Sequence, residues 1–75
     1  MKPPVHSVRD LGLAIKRQRL QRKMTQQELA DASGLDIRYI GSIERGQRNP
    51  TFGALQGIAS VFGMKTSELL RNAKL

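Results

Sequence analysis

At 75 residues the chain makes one domain at the small end of what folds alone, so its core must be compact and a second, catalytic domain has no room. It has no cysteine, which excludes disulfides, thiolate zinc sites and cysteine nucleophiles; its one histidine, His6, falls in a tail with Pro3 and Pro4, so neither a metal site nor a Ser-His-Asp arrangement is expected. Thirteen Lys and Arg against six Asp and Glu give a net charge of +7 with His neutral, and a domain this basic favours polyanions through counterion release, although many basic surfaces are merely solvated.

Residues 1–6, poor in apolar side chains, read as a flexible N-terminal arm, and 7–75 as the folded domain. Ser7 has the chemistry of an N-cap, with Asp10 in the first turn where the helix dipole favours an anion. Leu11, Ala14, Ile15 and Gln18 or Arg19 recur at helical spacing, with Arg9, Lys16, Arg17, Gln21 and Arg22 on the other side, which predicts an amphipathic first helix ending near Lys23. Thr25-Gln26-Gln27-Glu28 has the form of a capping box and starts a second helix. That helix can run only to Ser33, because Gly34 ends it cheaply in the left-handed conformation and Asp36 caps the next. The third helix, about Ile37 to Glu44, puts Ile40 and Ile43 on one side and Arg38, Gly41, Ser42 and Arg45 on the other.

Gly46-Gln47-Arg48-Asn49-Pro50 reads as a polar connector, after which Thr51 caps a fourth helix with the stripe Leu55, Ile58, Ala59 and Phe62, stopped by Gly63. A last segment, Ser67 to about Asn72, buries Leu69 or Leu70 and depends on packing for its helicity. The expected fold is all-α: a compact five-helix domain with a central helix-turn-helix at about 25–45. In that unit Ala30 must be small where two helices cross, Gly34 supplies positive φ at the turn, and Ile40 and Ile43 dock the third helix. The third helix then protrudes, free to enter a groove ~12 Å wide.

This stretch resembles the Cro and lambda-repressor type of helix-turn-helix, the xenobiotic-response-element family, over about Leu11 to Leu70. Besides the turn itself, the resemblance rests on Leu11-Gly12, Ile15 and Arg19, on Thr25-Gln26 with Glu28-Leu29-Ala30, on Ile43-Glu44-Arg45-Gly46, and on Asn49-Pro50-Thr51. It implies a transcriptional regulator, a repressor or autoregulator, that binds an operator in double-stranded DNA. The resemblance also implies a small autoregulator, of the kind found among phage repressors and restriction-modification controllers. Gln26 stands where the family's glutamine contacts phosphate and buttresses the recognition helix, against the plainer reading of capping-box polarity. Arg45, Arg48 and Asn49 stand where the family loop meets the DNA backbone, and Arg19 and Glu44 where members form a structural ion pair.

For base reading, Arg38 can meet guanine O6 and N7 in bidentate fashion or hold a phosphate instead, and Ile37 can meet a thymine methyl. Ser42 can bond a base edge, Gly41 can admit the backbone close to the DNA, and Asp36 is first an N-cap and only second an acceptor for a cytosine amine. Tyr39 either reaches a phosphate with its hydroxyl or packs as partial core. One short helix sees few base pairs, so a palindromic operator and a homodimer are expected, with Phe52, Met64, Leu70 and Leu75 at its interface. Lys65 in place of the family's usual cap, and Gly53 and Gly57 inside helix four, depart from the pattern; a helix-four glycine either admits a second subunit or is simply tolerated.

The competing class is a docking module or an antitoxin with a toxin partner, against which stand Arg38, Arg45 and Arg48 on one outer surface; polymerase is the other protein partner expected. Paired acids, a nucleophile with its base, a phosphate-cradling glycine loop and a metal cluster are all missing from the sequence, so no enzyme, metal or cofactor is expected. No apolar run approaches a membrane span of ~20 residues, and the N-terminus lacks the apolar stretch of a secretory signal, so the expected location is the cytoplasm with no membrane partner.

Overall fold

A computed structural model describes residues 8–73 and forms from them five helices: α1 Val8–Gln21, α2 Gln26–Ser33, α3 Ile37–Glu44, α4 Phe52–Val61 and α5 Thr66–Asn72. The arm at 1–6, Ser7 as a cap and Leu75 as an interface residue lie outside the described residues.

Local chemistry sets most of the boundaries. Thr25 and Glu28 form the reciprocal box: Glu28 N–H donates to Thr25 Oγ1 at 3.0 Å and Thr25 N–H to Glu28 Oε1 at 2.8 Å. Gly34 closes α2 at φ 74°, in the left-handed region where a side chain is costly. Asp36 Oδ1 accepts from Arg38 N–H at 2.7 Å and Thr51 Oγ1 from Ala54 N–H at 3.1 Å, which opens α3 and α4.

Two boundaries differ from expectation. α1 stops at Gln21, and Lys23 takes a left-handed φ of 55° so that Met24 N–H can reach back to Arg19 O at 3.1 Å. No glycine marks that turn; the strained backbone, costing on the order of 1 kcal/mol, is held by the Arg19 guanidinium, which donates to Met24 O at 2.7 Å. α5 starts at Thr66, with Glu68 Oε1 accepting from Lys65 N–H at 2.8 Å. Lysine has no acceptor to return, so this box is one-sided.

α1 packs on α3, α2 on both α3 and α4, and α5 on α1 and α4. Ile15, Leu29, Ile40, Ile43, Ile58 and Leu69 are fully buried, each stabilising by roughly 1.5–3 kcal/mol. Leu69 is therefore the core residue of α5, and Leu70 is half-buried against that core. A methyl group on Gly12 would overlap the Ile43 carbonyl oxygen, so the backbone of α1 rests directly on the end of α3. Gly46 closes the same junction from the loop side, where a Cβ would sit 2.8 Å from Arg9 Cα. Gly53 faces open space and a Cβ on Gly57 would meet only Ser33 O at 3.8 Å, so within this chain neither serves a close approach. No helix among the described residues is long and apolar enough to cross a membrane.

Candidate nucleic-acid interface

The two sides of α3 have different surroundings. Ile40, Ile43 and Glu44 are buried against α1 and α2, whereas Ile37, Arg38 and Arg45 are exposed and Ser42 is half-exposed. Two shallow depressions run along this outer side. One is lined by Asp36, Arg38, Tyr39, Ser42 and Arg48, the other by Gln26, Ile37, Arg38, Gly41, Ser42 and Arg45. The sequence-derived candidates on α3, the start of α2 and Arg48 in the loop are thus brought onto one surface. Asn49 is exposed in the same loop.

Behind that surface lies a buried charge network. Arg19 Nε donates to Glu44 Oε2 at 2.7 Å and its Nη2 to Oε1 at 3.0 Å, a bidentate pair, and Gln26 Nε2 donates to Oε1 at 3.0 Å. α1, the start of α2 and the end of α3 are therefore fixed to one another through a single carboxylate. Gln26 thus bonds the end of α3, and its remaining amide hydrogen and its carbonyl are not used by this network.

At the front of α3, Asp36 does more than cap. Its Oδ1 accepts from Arg38 Nε and its Oδ2 from Arg38 Nη2, both at 3.3 Å. Hydrogen bonds from the Arg38 side chain, then from its backbone N–H, hold the Asp36 carboxyl below the ordinary carboxylate range, and the same pairing raises Arg38. The pair persists through neutral pH and is lost only in acid, as pH falls through the lowered value. Ser42 donates its hydroxyl hydrogen to Arg38 O at 2.9 Å, which leaves its oxygen as an acceptor.

Gly41 lines the second depression but is buried, covered by the Arg45 side chain, whose Nη1 would lie 3.0 Å from a Cβ there. Arg45 thus folds back along the outer side of α3, with Nε donating to Gln47 Oε1 at 3.1 Å. Gln47 was not expected at the site. Its only sequence signal was position, two residues past an arginine that faces a glycine one turn earlier.

Tyr39 packs as partial core and uses its hydroxyl within the fold. Its ring is half-buried against the core, and its hydroxyl oxygen accepts from Thr51 N–H at 3.0 Å, tying α3 to the start of α4. Its own hydrogen is left to donate outward. The Arg48 guanidinium lies 5.6 Å from the centre of that ring, within cation–π range, which steadies a loop cation over the outer surface.

Comparison with known proteins places these features in a wider group. A helix-turn-helix family model matches residues 15–69. The immunity repressor protein of Bacillus phage phi105 is 35% identical over 60 residues, covering 80% of this chain and 42% of that protein. An HTH-type transcriptional regulator of Sinorhizobium fredii is 37% identical over 60 residues, covering 80% of this chain and 78% of that protein. Among solved structures, the restriction-modification controller protein C.AhdI from Aeromonas hydrophila superposes with a TM-score of 0.80 at 32% identity, over 83% of this chain and 94% of that one. The chain thus spans less than half of the phage repressor's length and nearly all of the controller's.

Proposed function

The chain belongs to the helix-turn-helix family, and we propose that it is a sequence-specific DNA-binding regulator of transcription that reads the major groove with α3. The observation that carries this reading is the division of charge about α3. Arg38, Arg45 and Arg48 lie on its outer surface against one exposed acid, Asp36, while Glu44 is buried and neutralised by Arg19 behind it. A phosphate-lined groove therefore meets cations where the helix enters.

Within this reading Arg38 addresses a guanine, Ile37 a thymine methyl, and Ser42, whose hydrogen is already committed, accepts from a base amine. Gln26, Tyr39, Arg45, Arg48 and Asn49 hold phosphates and set the register of the helix. Gly41 serves by making room for Arg45. An eight-residue helix spans few base pairs, so two copies act together on a palindromic operator. Phe52, 67% exposed at the start of α4, is the described apolar group with most to gain from a second copy; Met64 and Leu70 are already half-buried within the chain. Control is by occupancy of the operator in the cytoplasm, as a repressor or autoregulator, with no catalytic step.

Two substitutions separate base reading from phosphate holding. Arg38→Ala is expected to cost ~1–3 kcal/mol on the preferred site and to relax preference at one base position, leaving binding to unrelated DNA mostly intact. Equal losses on all sequences would move Arg38 to the phosphate group. Arg48→Ala is expected to weaken binding to every duplex and to lower the slope of log K against log salt by about one. Titration of both variants across salt concentrations measures these effects, and an unchanged slope would remove Arg48 from the phosphate contacts.

A further inference from the structure

Resting on the reading of α3 as a DNA-reading helix, we infer that Asp36 is a specificity-determining positioning residue: it holds Arg38 by one edge so that the other edge is presented to a guanine. A guanidinium offers two bidentate edges, a side edge formed by Nε–H and one Nη2 hydrogen, and an end edge formed by Nη1 and the other Nη2 hydrogen. Asp36 occupies the side edge with both carboxylate oxygens, each at 3.3 Å. The end edge takes no hydrogen bond among the described residues, and the Arg38 side chain is 90% exposed.

The carboxylate is itself held in place, because Oδ1 also accepts from Arg38 N–H at 2.7 Å as the cap of α3. The plane of the arginine is thus referred to the helix backbone. An exposed pair of this kind adds little to folding stability. It acts on binding instead: the arginine's rotamers are restricted before it meets the DNA, and the exclusion of water there strengthens the pair. A second consequence follows from charge. The Asp36 carboxylate repels phosphates wherever Arg38 finds no guanine to reward the approach, so it opposes binding to the wrong sequence.

The test is a double-mutant cycle on the full chain with Asp36→Asn and Arg38→Ala. Titrations use the selected operator and the same duplex with 7-deazaguanine replacing the guanine at which Arg38→Ala loses preference. Asparagine caps as well as aspartate, so the melting temperature of Asp36→Asn should stay near wild type. Its discrimination between the two duplexes should fall roughly three- to thirty-fold, whereas adding Asp36→Asn to a chain that already carries Arg38→Ala should cause no further fall. Its affinity for unrelated DNA should rise, a split that a purely capping role does not produce. Unchanged discrimination in Asp36→Asn, or an equal loss with Arg38 already removed, overturns the positioning role. A wild-type protein with no preferred sequence overturns the DNA-reading role beneath it, and the two failures are told apart by the wild-type titration alone.

Discussion

Glu44→Ala is expected to destabilise the domain by about 3–5 kcal/mol, enough to lower the thermal midpoint by more than about 12 °C or to leave the chain largely unfolded. The cause is what the substitution leaves behind. Arg19 is buried and donates twice to this carboxylate, so its removal strands a guanidinium that keeps only the Met24 carbonyl as partner. Gln26 loses its partner in the same step, and the start of α2 is no longer tied to the end of α3. Replacing both members, Arg19→Met with Glu44→Leu, should recover much of the loss, because a buried pair exchanged for apolar groups of similar size is often neutral. Recovery stays incomplete, since Met24 O loses its donor. Thermal and urea melts of the single and double variants measure both effects; a single variant as stable as wild type would mean that the network does not hold α1 to α3.

Gly12→Ala is expected to cost about 3 kcal/mol, at the upper end for overpacking, although alanine is the better helix former by about 1 kcal/mol. The sign of the result is therefore decisive. The added methyl meets the Ile43 carbonyl oxygen and lies 3.1 Å from Glu44 O, and neither can yield without moving the end of α3. Gly53→Ala is the control, an identical substitution in a helix that meets nothing, and it should stabilise by up to about 1 kcal/mol. Denaturant midpoints of the two variants should move in opposite directions. If both rise, α1 is not packed backbone to backbone on the reading helix.

These two sites also show where the sequence was legible. The ends of α2, α3 and α4 are local chemistry, a hydroxyl or carboxylate meeting a backbone N–H two or three residues on, and Thr25, Asp36 and Thr51 announce them directly. The apolar stripes of α1 and α4 follow from spacing for the same reason. Gly12 appeared in the sequence only as part of a resemblance, because its role depends on a carbonyl 31 residues away, a contact that no local pattern encodes. Lys23 hid the end of α1 by taking a conformation usually left to glycine, tolerated because Arg19 bonds the next carbonyl.

The candidate site divides in the same way. Placing Arg38 and Ser42 on the outer side of α3 needed only helical periodicity. The return of Arg45 over Gly41, the Gln47 acceptor and the second use of Asp36 depend on side-chain rotamers, which spacing does not fix. Tyr39 was open in the sequence because it serves two elements at once, its ring the core and its hydroxyl the cap of α4.

The most direct test of sequence-specific reading by α3 is selection from random duplex DNA by the purified chain, followed by titration of the enriched and scrambled sequences. An enriched palindrome bound at least ~10³-fold more tightly than scrambled DNA is the expected result. Weak binding that falls steeply with salt and enriches no sequence would contradict it, and would point instead to a basic docking module that needs a protein partner.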